Sequence, residues 1–167
     1  REIVRRKAIL DTDVFLYTTD PALHCAETTQ SWGMEILFYG MHQAFGIDGI
    51  VLLQALFAAA AAALFWLYAV RRGALPWIAA FAGAALAAIA GMHLVHRPLI
   101  ATPACLAGML LCLRRPTAGR IGGALVLQAV WANLHASFVL GIVVFVARAA
   151  EEIVLANVRG RQEATAG

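Results

Sequence analysis

Apolar residues along this chain fall into four blocks separated by short charged punctuation. A hydrocarbon core about 30 Å thick takes ~20 apolar residues in a helix. Ile50 to Val70 and Leu75 to Val95 meet that length, and Ile121 to Ala147 exceeds it without a single charge. Leu99 to Leu113 falls short, and Pro98 and Pro103 limit its helix. Wedged between the other blocks, it reads as a short or tilted span. The pattern predicts an all-α polytopic transmembrane bundle of four spans, 50–70, 75–95, 99–113 and 121–147. Arg71-Arg72-Gly73 makes the first two a hairpin, and Arg114-Arg115-Pro116 and Arg120 punctuate the gap before the last. Gly83, Ala87 and Gly91 stand four apart, a spacing that lets helix backbones approach closely.

Residues 1–49 are more polar. Glu2 to Leu10 can form a helix that Asp11-Thr12-Asp13 stops, and Asp20-Pro21 favours a turn. Ser31 suits an N-cap for a helix beginning at Trp32, with Glu35 in its first turns. Trp32, Ile36 and Tyr39 follow a helical rhythm, and Gly46 is the expected stop. This predicts an amphipathic helix in the interface plane, within an extracytoplasmic loop that covers residues 1–49. An ordinary surface helix packed on a soluble part is the alternative. Residues 148–167 form a polar tail.

Composition agrees with the pattern. Hydrophobic residues make up 62% and charged residues 14%, with a mean hydropathy of +0.76. Soluble domains hold ~45–50% apolar residues, so an ordinary soluble domain is excluded. The basic residues sit at span ends rather than in a stripe with aromatics, which argues against nucleic acid as a partner and for the lipid bilayer. Cys25, Cys105 and Cys112 form no metal-spaced set. No signal peptide is visible, and the opening Arg1-Glu2-Ile3-Val4-Arg5-Arg6-Lys7 reads as the middle of a helix whose earlier part is missing. Charge does not orient four spans. The two arginine turns hold five basic residues, whereas eight fall on the opposite side once Arg148, Arg159 and Arg161 are counted there.

Trp131-Ala132-Asn133-Leu134-His135 interrupts the longest apolar block with polar groups. Such groups at membrane depth are costly and usually face a protein interior or an aqueous cavity. Counting ~1.5 Å per residue from Ile121 places Asn133 and His135 some 18–21 Å in, toward the far end. His93, His96 and Arg97 stand at the far end of the second span, at similar depth. Together these predict a cavity lined by Arg97, Asn133, His135 and acids of the entry loop. Asn133 and His135 can equally serve helix packing, and Arg97 can reach lipid headgroups. No spacing fixes His93, His96 and His135 as a metal set. Asp11-Thr12-Asp13 is the one motif open to a divalent cation, and a helix stop explains it equally well.

The succession Asp11-Thr12-Asp13-Val14-Phe15-Leu16-Tyr17-Thr18, Ser31-Trp32-Gly33-Met34-Glu35, Arg97-Pro98 and Trp131-Ala132-Asn133-Leu134-His135 resembles bacterial polytopic proteins related to the GT-C superfamily. These are membrane glycosyltransferases that use polyprenyl-phosphate sugars. The resemblance covers most of the chain in order, through short motifs. It implies catalysis at the outer face of the bacterial inner membrane, with an acidic loop residue acting on the acceptor. By that resemblance Asp13 and Glu35 are the candidate catalytic acids, and Trp32, Arg97, Asn133 and His135 bind the lipid-linked sugar; His96, next to Arg97, is a further candidate for the donor phosphate. The sequence departs from the pattern at Ala136, where glycine is common, and at Gln30, where histidine is common. The family's first span and the acid after it would precede Arg1. The alternative is a non-catalytic membrane subunit whose polar span residues only join helices.

Overall fold

The protein is described by a computed structural model covering residues 31–93 and 98–166. Asp13, His96 and Arg97, singled out above, lie outside the described residues. All elements within them are helical: α1 (Trp32–Arg71), α2 (Pro76–His93), α3 (Ala101–Leu113), α4 (Ala118–Leu134) and α5 (Val139–Ala166). Short 3-10 turns at Pro98–Ile100 and Ala136–Phe138 precede α3 and α5. The class is all-α.

Ser31 starts α1 through its carbonyl, which accepts the Glu35 N–H at 3.0 Å, and its hydroxyl makes no capping bond. Gly46 does not end the helix. It adopts φ 65° and ψ −147°, a conformation that only glycine takes without strain, and helix resumes directly after it. The result is a corner between two limbs, 32–45 and 47–71. A Cβ on Gly49 would strike the Met41 carbonyl, although eight residues along a straight helix separate atoms by about 12 Å. The first limb therefore folds over the start of the second. Its Met34 is buried in one cluster with Leu53, Ile100, Ala101, Cys105, Trp131 and Leu134, and Phe38 and Met41 pack against that cluster.

The second limb of α1 and α2 form an antiparallel pair. Gly73 turns the chain at φ 97°, and Trp66 Nε1 donates to the Pro76 carbonyl across the turn at 3.0 Å. Farther along, a Cβ on Gly83 would stand 3.3 Å from the Ala62 carbonyl oxygen, so the small residue permits the close approach. α3 is central, touching α1, α4 and α5. Gly108 meets Leu127 and Cys112 meets Gly123, so α4 runs antiparallel to α3.

The last apolar block departs most from expectation. An unbroken span over 121–147 would be about 40 Å long, but the helix stops at Leu134 and His135 is extended at φ −166°, ψ 148°. The chain then reverses. A Cβ on Gly141 would overlap Oε1 of Gln128 and lie 3.1 Å from Cζ3 of Trp131, whereas thirteen residues of straight helix would separate Gly141 from Gln128 by about 20 Å. Thr102 and Ser137 share a hydroxyl bond of 2.5 Å near the start of α3. Arg148 Nε donates to the Leu113 carbonyl at its end, at 3.0 Å. α5 thus runs parallel to α3 and back alongside α4. The block is a helical hairpin, because the extended backbone at His135 cannot continue a helix.

This reversal regroups the charges. Arg148 reaches the end of α3, and Arg159 lines one pocket with Arg72 and Arg114. With Arg71, Arg115, Arg120 and Arg161, every basic residue among the described ones lies toward one end of the bundle. Glu35 and Asp48 belong to the other end.

Burial follows a matching logic. The interior uses small residues, including Ala101, Ala104, Ala107 and Ala124, around Met34, Met109 and Trp131. No buried residue among the described ones is polar or charged. The outward faces are nevertheless strongly apolar: Phe81 is 78% exposed, Trp77 70% and Val126 66%. Among the described residues, only α1 is long and apolar enough to cross a membrane by length and composition, with shorter apolar helices at Pro76–Ala88 and Ala101–Leu113.

Candidate functional site

The polar residues of the last apolar block converge on the break at His135. A helix that ends leaves carbonyl and N–H groups without intrahelical partners, and inside an apolar bundle each must be satisfied locally. His135 Nδ1 accepts the Ser137 N–H at 3.0 Å. Gln128 Nε2 donates to the Phe138 carbonyl at 2.9 Å. The backbone closes the turn through His135 N–H to Trp131 carbonyl at 3.1 Å and Phe138 N–H to His135 carbonyl at 3.2 Å. Trp131, fully buried, donates its Nε1 to Ser137 Oγ at 3.1 Å, and Ser137 in turn bonds Thr102. The indole therefore ties α4 to the turn, and the paired hydroxyls tie the turn to α3.

Asn133 takes no part in that network. Its Nδ2 donates to the Ala129 carbonyl one turn earlier at 2.7 Å, and the side chain is exposed. The ring of His135 is half-buried against its own turn. Both residues stand at the terminus of α4, so neither is carried into the middle of a continuing helix.

The start of α1 meets this terminus. A Cβ on Gly33 would lie 2.7 Å from the Asn133 carbonyl oxygen, so Trp32 and Asn133 belong to adjoining backbone segments. Glu35, one turn into α1, is exposed at the same end. Of the residues singled out from sequence, the structure brings Trp32, Glu35, Asn133 and His135 to one end of the bundle. Among the described residues no three His, Cys, Asp or Glu side chains gather as a metal site.

Sequence reasoning passed over two residues. Thr102 completes the hydroxyl pair, and Gln54 has a buried Nε2 without a hydrogen-bond partner. The rule that flagged Asn133 applies equally to any polar residue within an apolar block, and it would have found both. No family model, curated protein or solved structure matches this chain.

Proposed function

We propose that this chain is the membrane-embedded part of a bacterial inner-membrane protein related to the GT-C glycosyltransferases. In this reading it transfers a sugar from a polyprenyl-phosphate donor at the outer face. The observation that carries the membrane reading is the segregation of charge created by the reversal at His135. Eight arginines gather at one end, and basic residues near span ends favour the cytoplasm. The conflict in the sequence count disappears because Arg148, Arg159 and Arg161 change sides. Apolar outward faces such as those carrying Phe81 and Val126 suit lipid rather than water.

With the arginine end cytoplasmic, Trp32, Glu35, Asn133 and His135 face the outer leaflet. There His96 and Arg97 neutralise donor phosphate, Asn133 and His135 border the pocket, and Asp13 or Glu35 supplies acidity, with or without a divalent cation. The test has two parts. In a chain whose three native cysteines are replaced, Ser31→Cys should react with a membrane-impermeant maleimide in intact cells. Thr117→Cys and Arg159→Cys should react only after the membrane is opened. External labelling of Arg159→Cys refutes this orientation. Sugar transfer by proteoliposomes holding the longest natural form of the protein should be lost in Arg97→Ala and Asn133→Ala. Asn133 is exposed, so Asn133→Ala leaves the bundle folded, and wild-type activity in both variants sinks the site.

A specific observation also favours the second reading, a non-catalytic membrane subunit. His135 Nδ1, Gln128 Nε2, Trp131 Nε1 and Ser137 Oγ are bonded within the break and its neighbouring helix. Under that reading His135→Leu disrupts assembly; under the first it yields a folded, inactive protein.

A further inference from the structure

The arginine end holds a pocket of about 450 Å³ between the ends of α1, α3 and the middle of α5. Glu151 and Glu152 line it beside Arg148, and its arginines follow a repeated spacing. Arg72, Arg114, Arg148 and Arg159 line it, and so do Tyr68, Leu110, Val144 and Leu155. Each of the latter stands four positions before one of the arginines, hence on the same helix face. On α1, α3 and α5, Arg72, Arg114 and Arg148 make a cationic tier with Tyr68, Leu110 and Val144 one turn before it, and Arg159, about 16 Å farther along α5, closes the outer side of the pocket. A phosphate on an apolar tail matches both tiers. A small, fully hydrated anion matches only the first.

Not all of this charge is used internally. Arg148 pairs with Glu151 and Glu152. Arg114 donates to the Arg71 carbonyl, capping the end of α1, but it has no carboxylate among the described residues. Nor has Arg72 or Arg159. The surplus is felt locally: lost hydration first, then the fields of Arg115, Arg71, Arg72 and Arg120, push the Arg114 guanidinium below its ordinary pKa. An anion would relieve that repulsion.

We propose that this pocket binds the phosphate of an anionic glycerophospholipid of the cytoplasmic leaflet, with Arg72, Arg114 and Arg159 around the phosphate and Leu110 and Val144 against the acyl region. The proposal rests on the membrane reading above and is independent of sugar transfer at the opposite end. Basic pockets between spans on the cytoplasmic side are suited to such headgroups.

The full chain, purified in detergent, is titrated with dioleoylphosphatidylglycerol, dioleoylphosphatidylcholine or inorganic phosphate, and retained lipid is read by native mass spectrometry. The phosphatidylglycerol adduct should be retained at least tenfold more strongly than the phosphatidylcholine adduct. Inorganic phosphate should not displace it at millimolar concentration. Arg72→Gln and Arg159→Gln should each weaken retention about fivefold, the effect of removing one basic residue near anionic lipid. Arg120→Gln, outside the pocket, should change it less than twofold. Equal retention of both lipids overturns the proposal, as does an Arg120→Gln loss equal to the others, which would mean a diffuse field. Displacement by inorganic phosphate overturns the lipid as the source of the anion. A protein released from membranes by alkaline carbonate fails the membrane reading itself, a separate outcome from loss of lipid preference.

Discussion

The hairpin in the last apolar block makes a quantitative prediction about two residues far apart in an unbroken helix. Gly141 lies in the first turn of α5, and a Cβ there overlaps Oε1 of Gln128. Gln128 is not free to swing away, since Nε2 is bonded to the Phe138 carbonyl at 2.9 Å and Oε1 is buried. On its other side Trp131 is fully buried. Forcing a methyl into such a site costs about 1–3 kcal/mol, and displacing the amide forfeits about 1 kcal/mol more. Alanine recovers about 1 kcal/mol over glycine in a helix interior. Gly141→Ala should therefore destabilise the protein by about 1–3 kcal/mol. Gln128→Ala alone should cost about 1 kcal/mol for its hydrogen bond. In the double variant the added methyl enters space that the glutamine has vacated, so the two changes should couple favourably by about 1–2 kcal/mol. Unfolding of the detergent-solubilised protein by sodium dodecyl sulfate, followed by tryptophan fluorescence, measures the cycle. Additivity within about 0.5 kcal/mol would place the residues out of contact, as in a continuous span, and the hairpin would be refuted.

Three further outcomes follow from the same geometry. Ser137→Ala removes the acceptor of a buried indole N–H and the partner of Thr102, so it should cost about 1–3 kcal/mol, whereas Thr102→Val, which leaves the indole satisfied, should cost less in the same titration. Gly46→Ala places a side chain at φ 65° and ψ −147° and should cost about 1–3 kcal/mol; a neutral result would show that the corner in α1 does not require that conformation. Gly33→Ala pushes a methyl against the Asn133 backbone, which cannot rotate away, and should increase protease cleavage in residues 32–45 while the rest of the bundle stays protected.

Much of the helical pattern was legible in the chain. Apolar blocks without strand-like alternation predict helices, and Arg71-Arg72-Gly73 and Arg114-Arg115-Pro116 mark turns because their charges and backbone freedom suit helix ends. The polar residues around His135 were legible as an anomaly, since any polar group in an apolar run needs a partner. Their purpose was not. Hydropathy averages side chains over a window, and a single extended residue leaves that average unchanged, so 121–147 looks continuous. Gly46 was ambiguous for a related reason. Glycine permits both a helix stop and a sharp corner, and only the packing of Met34, Phe38 and Met41 over Leu53 selects the corner.

By itself, then, the sequence determined helical class, the apolar character of the blocks and which residues would be expensive to bury. Those are properties of short windows, governed by side-chain transfer and local backbone preference. Tertiary structure decided direction: whether α5 continued past His135 or returned beside α4, and hence which arginines share an end. That choice depends on contacts between residues distant in the chain, Gly141 with Gln128, Ser137 with Thr102 and Arg148 with Leu113. A hydropathy average over a window carries no information on whether the members of those pairs touch.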